Sequence, residues 1–446
     1  MNKVAAGLIV LGAVCSTTAF GQEAPRPSIA RQKEVPPLPT DSNVKVGPIL
    51  FRFSAVLRSE FVDNVNLANG TTAPIESDII LTPQLGIDAA WRITKLNILR
   101  FHTTLGITKY LSHSQLSTND ILISPDSELR FDVFVGDFKI NLHEQFSLQE
   151  DPVGQGALSN VSKFGRFINT AGVGVLWDLN DVILSTGFDH TNFIVTSSSA
   201  PATTTPQTAS TTPNTSTLNR TTDQVSASAG INVSSAMSVG LESVASVTRY
   251  PEAPQNDATR VSIGPYVHFQ LTNYTRVYAA FGYQGTFFDN PNPAPVASST
   301  GIAATQPASN VTSTQNASTN PNSYYADLTI AHRLNRYYQD HLSIGHESQL
   351  GFFSQGTETN YVNYTSNWQL NPVLGLSTSF FFEDTIESGT QSSAPFKRFG
   401  LTLTTGYRVT KKLSASLLYQ FIEKTSVNET QSYRQNRIGL GLSYQF

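Results

Sequence analysis

The chain has 446 residues, a formal net charge of -4, 10% aromatic and 14% charged residues, and one cysteine. The charged share is far below the ~25% usual in soluble domains, so something other than charge keeps the protein dispersed. The slight negative balance offers no footprint for nucleic acid, a lone cysteine excludes an internal disulfide, and no stretch past the first residues reaches the ~18 apolar residues of a membrane helix.

The opening MNKVAAGLIVLGAVCSTTAFGQ combines a Lys-bearing start, an apolar run from Val4 to Val14, and the small residues Ala19 and Gly21. It reads as a secretory signal peptide over residues 1–21. Cys15 leaves with it, and it is a poor lipoprotein acceptor because Val14 precedes it. Residues 22–47, rich in proline and charge, read as an extended periplasmic linker.

From Ile49 the pattern changes to strict alternation. ILFRFSAVLRSEF sets Ile49, Phe51, Phe53, Ala55 and Leu57 on one face and Arg52, Ser54, Arg58 and Glu60 on the other, with Val56 the exception. The same period of two recurs in QLGIDAAWR, LRFHTTLGI, ELRFDVFV, DFKINLHEQF, TAGVGVLWDL, DQVSASAGINV, RVSIGPYVHFQL, RVYAAFGY, FGLTLTTGYRV and LSASLLYQF. Each is about ten residues long, the length of a tilted strand crossing an outer membrane.

Connections alternate between tight and long. Tight turns are expected near Lys95 to Asn97, Gly136 to Asp137, Asn180 to Asp181, Ser234 to Ala236, Thr272 to Asn273, Leu334 to Arg336, Asn371 to Pro372 and Thr410 to Lys412. Between them lie longer polar segments, among them NVNLANGTTAPIES, QEDPVGQGALSNVSKFG and two Ser/Thr/Asn-rich runs that could form no core. Short turns on one rim and long loops on the other are the asymmetry of a bacterial barrel. The expected fold is therefore all-β: a closed antiparallel transmembrane β-barrel over residues 48–446, of about 18 strands, in the bacterial outer membrane. A soluble sandwich or propeller would also alternate, but its loops would not sort by length, and only closure pairs every backbone group in lipid without helices.

SEFVDNVNLANG, near Ser59, looks like a first strand running into an Asp-Asn turn at Asp63 and Asn64. With the signal peptide and the hairpin series, this segment makes the chain resemble the outer-membrane proteins grouped as β-barrel porin 2. That resemblance implies a porin-like barrel, with some members linked to exopolysaccharide loci.

The faces opposite the apolar ones carry cations: Arg52, Arg58, Arg92, Arg100, Arg130 and Lys139, with His143 on the same side. As lumen-lining residues they could favour anions, since rings of Arg or Lys do so in pores. Glu60, Asp88, Glu128 and Asp132 lie among them, so a mutually neutralised wall is the blander reading. His341 and His346, an odd number apart, face opposite sides and make poor joint ligands; no metal, cofactor or catalytic set is implied, and no enzyme is expected. The compact, Gly-bearing QEDPVGQGALSNVSKFGRF is the candidate constriction, with a plain surface loop as its alternative.

The reading is a porin-like channel for passive passage of small hydrophilic solutes. A conduit or accessory for exopolysaccharide export and a plugged structural or adhesive barrel are the alternatives, and conductance separates the last from both. Expected partners are outer-membrane lipid, the barrel-assembly machinery, and small solutes or polysaccharide; a homo-oligomer stays open. The final IGLGLSYQF should close the barrel against Ile49 to Phe61, with Tyr444 and Phe446 in the periplasmic aromatic girdle. The resemblance implies that a terminal Phe446 is also read by the barrel-assembly machinery.

Overall fold

The computed structural model describes residues 42–71, 73–118, 120–199, 215–252, 257–289, 322–351, 356–388 and 395–446. The signal peptide, most of the proline-rich linker and most of the two Ser/Thr/Asn-rich runs lie outside them. Eighteen long strands follow in order: β1 Ile49–Val62, β2 Asp78–Arg92, β3 Ile98–Gly106, β4 Glu128–Val135, β5 Phe138–Gln149 and β6 Lys163–Asp178. Next come β7 Val182–Ser199, β8 Arg220–Ser234, β9 Met237–Arg249, β10 Ala258–Gln270, β11 Thr275–Phe288 and β12 Asn322–His332. The series ends with β13 Tyr338–Leu350, β14 Gly356–Asn371, β15 Leu374–Ser388, β16 Phe396–Arg408, β17 Leu413–Ser426 and β18 Tyr433–Gln445.

Each strand pairs antiparallel with the next, and β18 returns to β1, with Ile438 opposite Phe61 and Leu442 opposite Leu57. The single sheet is thus a closed barrel of 18 strands, as expected. Short extensions complete it: Lys109–Tyr110 beside β2, Leu122–Ile123 beside β3, and Val44–Val46 against Ile49 to Phe51. The last of these lies in the segment read as linker, whose end therefore belongs to the sheet. Asn43 explains why it stays there: its amide donates to Phe53 O at 3.0 Å and Phe446 O at 2.9 Å, and accepts from Phe53 N.

All eight tight connections fall where turn chemistry placed them. Asn371 Oδ1 accepts from Val373 N and Leu374 N, Asn335 Oδ1 from Tyr337 N and Tyr338 N, and Thr410 Oγ1 from Lys412 N and Leu413 N. Each side chain satisfies donors that the hairpin leaves over. At the two-residue β4–β5 turn, Gly136 adopts φ +57, a conformation that a side chain would strain. On the opposite rim, β7 runs to Ser199 and β8 starts at Arg220, extending into the Ser/Thr-rich run because threonine suits a pleated strand whether or not lipid touches it.

Alternation then sorts side chains by face. Outside, Leu57, Ile79, Leu142, Phe188, Leu241, Ile263, Phe281, Leu417, Ile438, Leu440 and Leu442 stand exposed, a belt untenable in water but suited to lipid. Tyr444 and Phe446 form the lower edge, their rings 5.5 Å apart, and Phe138 stacks on Trp177 at the same level. From Tyr444 to Arg434 is ten residues along β18, which at ~3.3 Å per residue and ~45° tilt spans roughly 23 Å. That matches the apolar band of a bacterial outer-membrane barrel.

Inside there is no single core. Among the described residues, small buried apolar clusters sit at the long-loop mouth, where loops meet the upper wall: Leu67, Val153, Phe381, Ile422 and Tyr433 in one, Leu158, Val161, Phe164, Phe193 and Leu218 in another; a further cluster, Tyr266, Ala280 and Tyr325, lies on the wall of β10 to β12.

Candidate functional site

The lumen wall of β1 to β7 is a belt of paired charges. Arg52 Nε donates to Asp88 at 2.9 Å, and His102 bridges Asp88 at 2.7 Å and Asp126 at 3.2 Å. Farther round, Arg130 lies 3.2 Å and Lys139 3.8 Å from Asp132, which also accepts from Asn141. Asn141 contacts His143, and His143 reaches Asp189 at 2.8 Å. The strand parity places Arg58, Arg92 and Arg100 on the same inner face, Arg92 at the exposed periplasmic end of β2. The seven basic residues singled out in the sequence thus share one side of the wall, most of them beside a carboxylate.

Asp126, in the loop before β4, shows the local chemistry. The hydrogen bond from His102 holds its carboxyl down to about 2 against the opposing effect of burial, with Ser124 donating a second hydrogen bond. Among the described residues, no group of three His, Cys, Asp or Glu could hold a metal ion.

The dominant feature is the connection between β5 and β6. Residues 150–162 do not stand above the rim; they cross the lumen to the far wall, forming a strap. At its root, Arg166 Nη1 donates to Asp151 O at 2.9 Å and Lys163 pairs with Glu150 at 2.8 Å. Across the lumen, Arg398 on β16 donates to Val153 O at 2.9 Å, and Lys424 on β17 donates to Ala157 O at 3.2 Å and Ser159 Oγ at 3.0 Å. Arg437 on β18 binds the Asp151 carboxylate at 2.9 Å and Glu60 at 3.4 Å. Burial raises the Asp151 carboxyl, but Arg437, the Val153 N–H and Arg166 outweigh it and hold the group below its ordinary range.

The strap also meets the loops at the seam. Ser159 donates to Gln431 O at 2.6 Å, Asn160 Nδ2 to Thr430 O at 2.8 Å, and Asn160 N to Leu67 O at 3.0 Å. Its sequence permits this path. Pro152 and Gln155 carbonyls accept from Gln155 N and Leu158 N, winding it into two turns. Gly156 lets Arg398 close in, since a Cβ there would sit 2.8 Å from Nη1. Val153 fills the cluster against Phe381, Ile422 and Tyr433. The QEDPVGQGALSNVSKFGRF segment is therefore drawn inward.

Sequence reasoning missed the partners of the strap and a lumen cluster on β9 to β14. There Tyr278 and Tyr325 donate to Glu242 at 2.6 and 3.1 Å, and Tyr361 donates to Asp327 at 2.7 Å. Inward parity in MSVGLESVASVTR and RVSIGPYVHFQL marks Glu242 and Tyr266, so the signal was present. Tyr266 and Tyr325 are 4% and 1% exposed and pack against Gly240 and Gly282, so these rings offer no open stacking surface.

No family model and no curated protein matches the chain. Among solved structures it is similar to Pseudomonas aeruginosa OpdK with vanillate, at 10% identity and a TM-score of 0.44 over 89% of this chain and 99% of that one. A BenF-like porin from Pseudomonas fluorescens Pf-5 gives 11%, 0.45, 89% and 99%. Pseudomonas aeruginosa OccK2 (OpdF) in complex with glucuronate gives 10%, 0.45, 89% and 98%.

Proposed function

We propose that the chain is a passive outer-membrane channel for small hydrophilic solutes, with the strap as its constriction. The observation that carries this reading is a closed barrel of 18 strands, wide enough for water, whose inner wall is polar and whose bore is crossed by the β5–β6 loop, fixed at both ends.

Passive passage fits the charge balance. The belt on β1 to β7 presents alternating signs, so it hydrates a solute without trapping either ion. The resemblance to β-barrel porin 2 proteins agrees with this reading, although Asn64, in the turn that is part of that resemblance, is a buried structural residue here. A polysaccharide conduit would need rings open to sugar faces, and Tyr266 and Tyr325 are covered. Single-channel recording of purified protein with sized sugars tests the reading: stepwise conductance blocked by small sugars supports it, and a silent barrel overturns it in favour of a plugged one.

A further inference from the structure

We infer that Lys424 and Arg398 are the specificity-determining residues of the channel, pinning the strap across the lumen so that the strap, and not the barrel circumference, sets the size of solute that passes. This inference rests on the channel reading above and names the side chains that give it a size limit.

Lys424 is 1% exposed, on the inward face of β17. A wall lysine in a polar lumen is expected to meet a neighbouring carboxylate, as Lys139 meets Asp132. Lys424 does not: among the described residues no carboxylate lies within ion-pair distance, its ammonium rests 4.6 Å from the Phe396 ring centre, and both its hydrogen bonds go to the strap. Arg398, 3% exposed, divides its fork, one nitrogen to Glu383 at 2.9 Å and the other to Val153 O at 2.9 Å. The bonds to the strap join residues 245 to 267 positions apart in sequence. Burying a cation is costly unless it is well paired, and here the pairing includes neutral carbonyls of a loop rooted on the opposite wall.

The remaining strap contacts show why two pins suffice. Ser159 and Asn160 tie the strap's far end to the seam loops, and Asp151 ties its near end to Arg437. Among the described residues, Arg398 and Lys424 make the polar contacts that hold the middle, from Val153 to Ala157, against the wall of β16 and β17, beside the apolar packing of Val153 on Phe381 and Ile422. Losing them frees the part of the strap that spans the bore.

The experiment compares the wild type with Lys424→Met, which keeps length and apolar volume, and with Gly156→Val, which pushes the strap off Arg398 without touching a strand. Both folded variants should show single-channel conductance raised roughly twofold or more, because the unobstructed bore of a barrel this size is wide, and should admit larger oligosaccharides in liposome swelling. In a double variant Ala157→Cys and Lys424→Cys, a short bifunctional maleimide should return conductance to the wild-type value. Variants that migrate as folded barrels yet keep wild-type conductance and sugar exclusion overturn the assignment. A silent wild type beside a conducting Lys424→Met overturns the channel reading and keeps the pins, since the strap would then be a plug; silence in both overturns the pins as well.

Discussion

At the scale of single residues, the lumen wall is governed by satisfaction of charge. His102 contacts two carboxylates, Asp88 accepts from both Arg52 and His102, and Asp132 serves three donors. Asp126 is the group whose titration exposes this arrangement. Its carboxyl sits at about 2 in the folded chain against an ordinary 3.8. A depressed folded value stabilises above the unfolded one and is lost as pH falls through the folded one. The Asp126 contribution is therefore complete above about pH 4 and disappears towards pH 2. Because the side chain is 62% exposed, it should amount to under ~1 kcal/mol. Thermal unfolding of wild type and Asp126→Asn should differ at pH 5 and converge at pH 2; an equal difference at both would remove the His102 bridge as the cause.

At the scale of elements, the decisive one is the seam between β1 and β18, stapled at both ends. Below, Asn43 clips Phe446 to Phe53. Above, Asn436 donates to the Asp63 carboxylate through N and Nδ2 at 2.6 and 2.7 Å. Asn64, 1% exposed, donates to Arg434 O and Ala68 O and accepts from Ala68 N. Asn64→Ala should strand these buried groups and destabilise the barrel by roughly 2 kcal/mol or more, read as a lower denaturant midpoint; an unchanged midpoint would mean water replaces the amide freely. Gly136→Val should act at the other rim, weakening the β4–β5 hairpin through its strained φ and slowing folding into micelles more than Asp137→Asn. The strands, their faces and their turns could be read from IGLGLSYQF or ILFRFSAVLRSEF because a period of two and a turn residue are local. The strap's partners could not. Ser159 and Lys424 are 265 residues apart, and their contact depends on the curvature of a closed sheet, which leaves no periodic trace.

At the scale of the whole molecule, the question is how a wall so rich in arginine treats ions. A ring of unpaired cations would concentrate anions and make the pore selective. This wall pairs many of them: Arg52 with Asp88, Arg130 and Lys139 with Asp132, Arg398 with Glu383, and Arg437 with Glu60 and Asp151. Fields from such pairs fall off within about a Debye length, ~10 Å at 0.1 M salt, so the middle of the bore sees little net potential. The strap adds Asp151 to the lumen but meets it with Arg437, leaving the balance unchanged. In a tenfold potassium chloride gradient the reversal potential should accordingly lie near zero. Arg437→Met breaks two pairs at once, freeing Asp151 and Glu60, and should move the reversal potential towards cation preference without closing the pore. A wild-type pore strongly selective for anions would show that the pairs do not hold in the open channel.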